Sequence, residues 1–317
     1  MTVALILATY AVLAAVLLPR ALRRARWADR APRLAISLWL AACASALASA
    51  VLAGLTAVVP ADAIGHGLAR LFEVCAALLS GGSEIPVASA GFRLALLASG
   101  LIAGRAGFCV AAVLYRARRE RRRHAEGLDL LGRHDGELGA VVVDYDEPLV
   151  YCLPGRRSKA VITTAALRSL PPEHVAAVLA HERAHLRGRH HLVLALAEGL
   201  ARAFPRLPLF AAARDEVTRL IELRADDVAA GHHPRVHIAA ALVRLATGRT
   251  PAFALGAGGE NALTRVQRML NPAAPLGRRE KLAGVTAVAL LVAGPAALAA
   301  IPGVSSLIAH HCHTLSL

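Results

Sequence analysis

The feature that most restricts this chain is a set of four apolar blocks, Thr2 to Leu18, Leu34 to Val59, Leu94 to Tyr115 and Leu282 to Ile301. Each is close to the roughly 20 residues a helix needs to cross a bilayer, the first at the short end of the range. Mean hydropathy is +0.51 and 56% of the residues are hydrophobic, too apolar for a pair of ordinary soluble domains. The first block has no Lys or Arg before it and no convincing small-x-small cleavage site after it, so it reads as a retained helix and not as a signal peptide. The expected fold class is a mainly α membrane protein with four transmembrane helices.

Arginine placement sets the expected orientation. The net charge of +14 comes largely from Arg clusters flanking the apolar blocks. The loop from Arg20 to Arg33 holds six arginines against Asp29, whereas residues 60–93 hold only Arg70 and Arg93 against Asp62, Glu73 and Glu84. Positive loops stay in the cytoplasm. The first loop is therefore expected inside, and both termini extracytoplasmic. The organisation that follows is a three-helix membrane region over 1–115 and a cytoplasmic domain over 116–281. A fourth membrane helix over 282–301 and an outer tail over 302–317 complete it. Such a protein sits in the cytoplasmic (inner) cell membrane with the lipid bilayer as its first partner. Its basic clusters hold only Trp27 as a stacking aromatic, so direct nucleic-acid binding is not expected.

Some features of the membrane region stand apart. Arg105 lies near the middle of the third block, where a charge is expensive and commonly marks a polar interior, unless the span begins nearer Ile85. Ile64, Leu68, Leu71, Phe72 and Cys75 have the spacing of a short packing helix in the outer loop. The five cysteines form no CxxC pair, and Cys43 and Cys109 read as small core residues. Cys75 and Cys312 fall on the same expected outer face. The tail sequence His310-His311-Cys312-His313 has a composition that permits metal binding.

Within the inserted domain, Gly139 to Tyr145 and Leu149 to Leu153 are rich in Val and Tyr and are separated by Asp146-Glu147-Pro148. They read as a β-hairpin, with Lys159 to Thr164 as a third strand. Pro171-Pro172-Glu173 opens a helix that should run through His185 and stop near Gly188. Leu192 to Phe204 is too short to span and packs in the domain or dips into the interface. Helical patterns follow at Ala211 to Ala230, Val236 to Ala246 and Asn261 to Leu270.

The chemistry concentrates in His181-Glu182-Arg183-Ala184-His185. Residues four apart share a helix face, so both imidazoles can reach one metal ion while Glu182 stands beside the open position. With 14 His and 13 Glu in 317 residues, chance supplies this pattern about 0.025 times. The expected ion is Zn2+, which polarises a scissile carbonyl and lowers the pKa of a water, with Glu182 as the proton-transferring base. A third ligand is needed. Glu222-Leu223-Arg224-Ala225-Asp226 again places two carboxylates on one helix face. Alone they would read as a solvated face paired with Arg219 and Arg224. Beside the upstream motif, Glu222 reads as the third metal ligand and Asp226 as the group that orients a ligating histidine. His190, His191, His232 and His233 are weighed as alternative ligands or as donors to a developing oxyanion, against a reading as ordinary polar residues near helix ends.

Three spans, a cytoplasmic domain with HExxH and ExxxD, and a fourth span resemble the BlaR/MecR-type antirepressor metallopeptidases, more distantly the HtpX and prenyl-protein proteases. The resemblance covers the chain in layout and is specific from about Ala140 to Asp227. It implies a zincin-like α+β domain with His181, His185 and Glu222 on zinc, Glu182 as catalytic base and Asp226 behind the ligands. It also implies an edge strand at Val161 to Thr164 for an extended substrate. Antibiotic-sensing members carry a penicillin-binding domain after the fourth span, where this sequence has about 16 residues, so β-lactam sensing is not expected. The function expected is an integral-membrane zinc endopeptidase cutting a cytoplasmic regulatory protein, such as a winged-helix transcriptional repressor. The competing expectation is a catalytically inactive signalling or scaffold protein with the same fold.

Overall fold

The computed structural model describes residues 2–58, 90–155, 158–247 and 258–314. The outer-loop helix expected from Ile64 to Cys75 lies outside them, as do the side chains of the C-terminal tail. Helix α1 (Thr2–Arg23) is followed by a 3-10 turn (Arg26–Arg30), α2 (Pro32–Val58) and α3 (Ala90–Leu131). Helix α10 (Arg278–Thr314) closes the chain and continues past Ile301, where a tail was expected. Each of α1, α2, α3 and α10 contains a stretch long and apolar enough to cross a membrane.

These helices meet through small residues. Ala14 of α1 and Ala35, Ala42, Cys43 and Ala46 of α2 are buried together, and Tyr10 Oη lies 2.9 Å from Ser45 Oγ. Where α2 meets α3, a Cβ on Gly54 would collide with Ser99 Oγ and the Ala95 carbonyl. Ser99 Oγ in turn donates to the Val51 carbonyl at 3.1 Å. Small residues that let backbones approach this closely are the packing that helices in lipid use.

The inserted region begins with four short strands, β1 (Gly132–Asp135), β2 (Ala140–Val143), β3 (Val150–Leu153) and β4 (Lys159–Thr163), in the spatial order β1-β2-β4-β3. The expected β2–β3 hairpin does not form. Strand β2 runs parallel to β4 with Val142 opposite Ile162, and β3 runs antiparallel to β4 with Cys152 opposite Ala160. The reason is burial: Ala160, Val161 and Ile162 are almost wholly inaccessible, so β4 takes the centre, where both faces are covered. The segment between β2 and β3 is stitched to the end of β4 instead of closing a tight turn. Thr163 Oγ1 donates to the Glu147 carbonyl at 2.8 Å, and Thr164 Oγ1 donates to Asp144 Oδ1 at 2.8 Å. Val161 to Thr164 is accordingly not an edge strand. Among the described residues the sheet edges are β1 and β3.

After a short helix α4 (Thr164–Ser169) comes α5 (Pro172–Arg187), which begins on Pro172 and ends at Gly188 as the prolines and glycine predict. Arg189 then takes a left-handed conformation, φ 48°, and α6 (His190–Ala203) starts at once. A side chain on Gly188 would strike the His190 ring. The remaining helices are α7 (Pro208–Ala230), α8 (Arg235–Thr247) and α9 (Gly258–Leu270).

Helices α6 and α7 join the inserted region to the apolar helices α1, α2 and α3. Ala197, Leu200 and Ala201 of α6 and Leu209, Phe210, Ala213 and Val217 of α7 share one core with α1, α2 and α3. A Cβ on Gly199 would lie 2.6 Å from Val110 Cα, so α6 meets α3 almost backbone to backbone. Arg105, the charge inside the third span, donates from Nε to the carbonyl of Ala203 at 2.6 Å. That carbonyl ends α6 and has no partner within its own helix. Helix α7 is continuous from this membrane-side core to Glu222 and Asp226.

Candidate metal centre

Helices α5 and α7 pack so that the paired residues of each motif face one another. His181 Nε2 and His185 Nε2 are 3.0 Å apart. Glu222 completes a triangle, with Oε2 3.5 Å from His181 Nε2 and Oε1 3.6 Å from His185 Nε2. One donor atom from each of the three residues falls within a 4.8 Å cluster. Two donors about 2.0–2.2 Å from a tetrahedral zinc ion stand about 3.3–3.6 Å from each other. The three separations lie close to that range, and two imidazoles with one carboxylate are a donor set that zinc accepts. The residues fit the ion.

Each ligand candidate has a group behind it. Asp226, fully buried, places Oδ1 2.8 Å from His181 Nδ1, although the ring N–H does not point straight at the oxygen. His190 Nδ1 lies 3.0 Å from His185 Nδ1. This histidine, weighed in the sequence as an alternative ligand, stands behind His185 because the left-handed Arg189 turns α6 back beneath α5. His232 and His233, beyond the end of α7, are not brought into the cluster. Arg219 pairs with Asp29 and Glu216, at 2.7 and 3.0 Å. Glu222 instead meets Arg265 of α9, whose Nη1 is 3.0 Å from Oε2. Arg265 was missed in the sequence, since nothing in the spacing of α9 marks one arginine as reaching a site on α5 and α7. Cys152 was missed too: from β3 its thiol hydrogen-bonds to Glu182.

Burial and charge set the protonation of these groups in the metal-free protein. Burial would push the His181 imidazole down, but the Asp226 and Glu222 carboxylates raise it to about 9. His185 is pushed down to about 4 by burial and by its proximity to His181. Burial raises Glu182 above the ordinary carboxylate range. It would do the same to Glu222 and Asp226, but His181 and Arg265 hold both below it. The Cys152 thiol is pushed up to about 12, first by burial and then by Glu182, so it stays protonated at neutral pH and donates to that carboxylate.

Comparison with known proteins gives one match over this region: residues 117–272 match peptidase family M48. The region is an M48 peptidase domain. No curated protein and no solved structure matches the chain. Peptidases of family M48 are metallopeptidases, typically zinc-dependent, and the matched residues include both motif helices and α9. The match is to the family as a whole.

Proposed function

We propose that the chain is an integral-membrane, zinc-dependent endopeptidase that cuts a cytoplasmic regulatory protein, such as a winged-helix repressor, in a signalling pathway. One observation carries the reading: His181, His185 and Glu222 turn their donor atoms to one point inside an M48 domain. The arginine-rich first loop supports a cytoplasmic active site with both termini outside. The layout of three spans, an inserted domain over 116–281 and a fourth span supports the antirepressor type.

In this reading His181 Nε2, His185 Nε2 and a Glu222 oxygen hold the ion, which supplies Lewis acidity to lower the pKa of a water and polarise the scissile carbonyl. Glu182 is the base. Its buried carboxylate, raised toward the working pH, takes a proton from the attacking water and passes it to the leaving amine. Asp226 and His190 fix the orientations of the two imidazoles, so that Nε2 is the free donor of each ring. Among the described residues strand β3 is an edge of the sheet, its Cys152 lies beside Glu182, and an extended substrate adds to that edge by main-chain hydrogen bonds.

The test compares membranes and cytosol from wild-type cells and from cells carrying Glu182→Ala. A protein that accumulates only in the variant, and is cut by the purified wild-type chain, is the predicted result. If no protein accumulates although zinc binding is intact, the endopeptidase reading gives way to an inactive signalling scaffold.

A further inference from the structure

We infer that Arg265 is a positioning residue for the metal centre, acting on the third ligand and on the histidine anchor at the same time. This rests on the metal-site reading above. The guanidinium donates from Nε to Asp226 Oδ2 and from Nη2 to Asp226 Oδ1, both at 2.8 Å. Its third nitrogen, Nη1, stands 3.0 Å from Glu222 Oε2. All three nitrogens are used. The side chain is 14% exposed, against 0% for Asp226 and 36% for Glu222.

Glu222 and Asp226 are one helical turn apart on α7, and two carboxylates so close repel each other unless a cation lies between them. Arg265 supplies that cation in a planar fork, which fixes direction as well as charge. Oxygen Oε2 of Glu222 is held between Arg265 and His181, which leaves Oε1 facing His185. Asp226 is held so that Oδ1 faces His181. The same guanidinium therefore sets the ligand carboxylate and, through Asp226, one ligand imidazole. A lysine offers one compact charge and cannot make the fork and the third contact together.

Helix α9 also carries Arg268, which provides a control. Arg268 donates from Nη2 to Asp227 Oδ2 at 2.9 Å and from Nε to the Asp29 carbonyl at 3.1 Å. It ties α9 to α7 and to the turn between α1 and α2, but neither contact involves Glu222 or Asp226. If α9 mattered only as a support, losing either arginine would have the same effect.

The experiment measures zinc dissociation constants by competition with a chromophoric chelator, and the visible spectrum of the Co2+-loaded protein, on the full chain in detergent. The variants are Arg265→Lys, Arg265→Met and Arg268→Met. Partners behind metal ligands change affinity by about 10- to 100-fold when removed. Arg265→Lys should bind about tenfold more weakly with shifted cobalt bands, Arg265→Met more weakly still, and Arg268→Met like wild type despite a lower unfolding temperature. Arg265→Met leaves Asp226 buried without its partner; should that variant not fold, the Lys variant against Arg268→Met decides. Wild-type affinity and bands in Arg265→Lys would overturn the inference, as would an equal loss in Arg268→Met. A wild-type chain without stoichiometric zinc would instead overturn the metallopeptidase reading on which it stands.

Discussion

Asp226 Oδ1 lies 2.8 Å from Nδ1 of His181, across the imidazole from the Nε2 that faces His185 and Glu222. Asp226 is fully buried and shares its other oxygen with Arg265. Asp226→Ala therefore removes the anchor of one ligand and leaves a largely buried guanidinium short of its main partner. The expected cost is about 3–5 kcal/mol of stability, together with a 10- to 100-fold loss of zinc affinity. Thermal unfolding and metal competition on the purified variant check both. A loss of stability with wild-type affinity would assign Asp226 to the fold and not to the site.

The His181 proton gives metal binding a pH dependence of known sign. In the metal-free protein this imidazole is raised from 6.5 to about 9, while His185 is lowered to about 4 and is already neutral. Between pH 6.5 and 9 the folded chain holds one proton more than the unfolded chain at His181. Its stabilising contribution is complete below 6.5 and is lost as pH rises through 9. Metal requires the neutral ring, so binding at pH 7 to 8 should release about one proton per chain. Affinity should then climb about tenfold per pH unit and level off above about 9. Calorimetry in buffers of different ionisation enthalpy reads that proton directly. A pH-independent affinity from 7 to 8 would contradict the assignment.

The junction between the peptidase domain and the membrane helices is open to a separate test. At Gly199 a single Cβ already falls 2.6 Å from Val110 Cα. Gly199→Leu should force α6 away from α3 at a cost of about 1–3 kcal/mol, as overpacking does. The unfolding temperature of the detergent-purified protein should drop accordingly. An unchanged value would mean that α6 and α3 are not held as tightly as their backbones indicate.

What the sequence disclosed followed the range of its signals. The four apolar blocks were legible because apolar length is a local property, and each lies on an observed helix, although α1, α3 and α10 run on past Leu18, Tyr115 and Ile301. The meeting of His181 and His185 with Glu222 and Asp226 was legible because a spacing of four residues forces each pair onto a shared helix face. Arg265 was not, because it reaches Asp226 across 39 positions of sequence and no periodicity encodes that meeting. Strand β1 was passed over because Gly-Arg-His-Asp shows no apolar alternation. A β2–β3 hairpin is expected for the opposite reason: Asp146-Glu147-Pro148 carries a strong turn signal. Burial of Val161 and Ile162 outweighed it by drawing β4 between the two strands.

The most direct test of the metal centre is elemental analysis of the purified chain, alone and with single substitutions at the motif. The wild-type chain should carry about one zinc, His185→Ala should lose the metal, and Glu182→Ala should retain it with peptidase activity abolished. A wild-type chain that purifies without stoichiometric metal and takes none up on addition of zinc would contradict it.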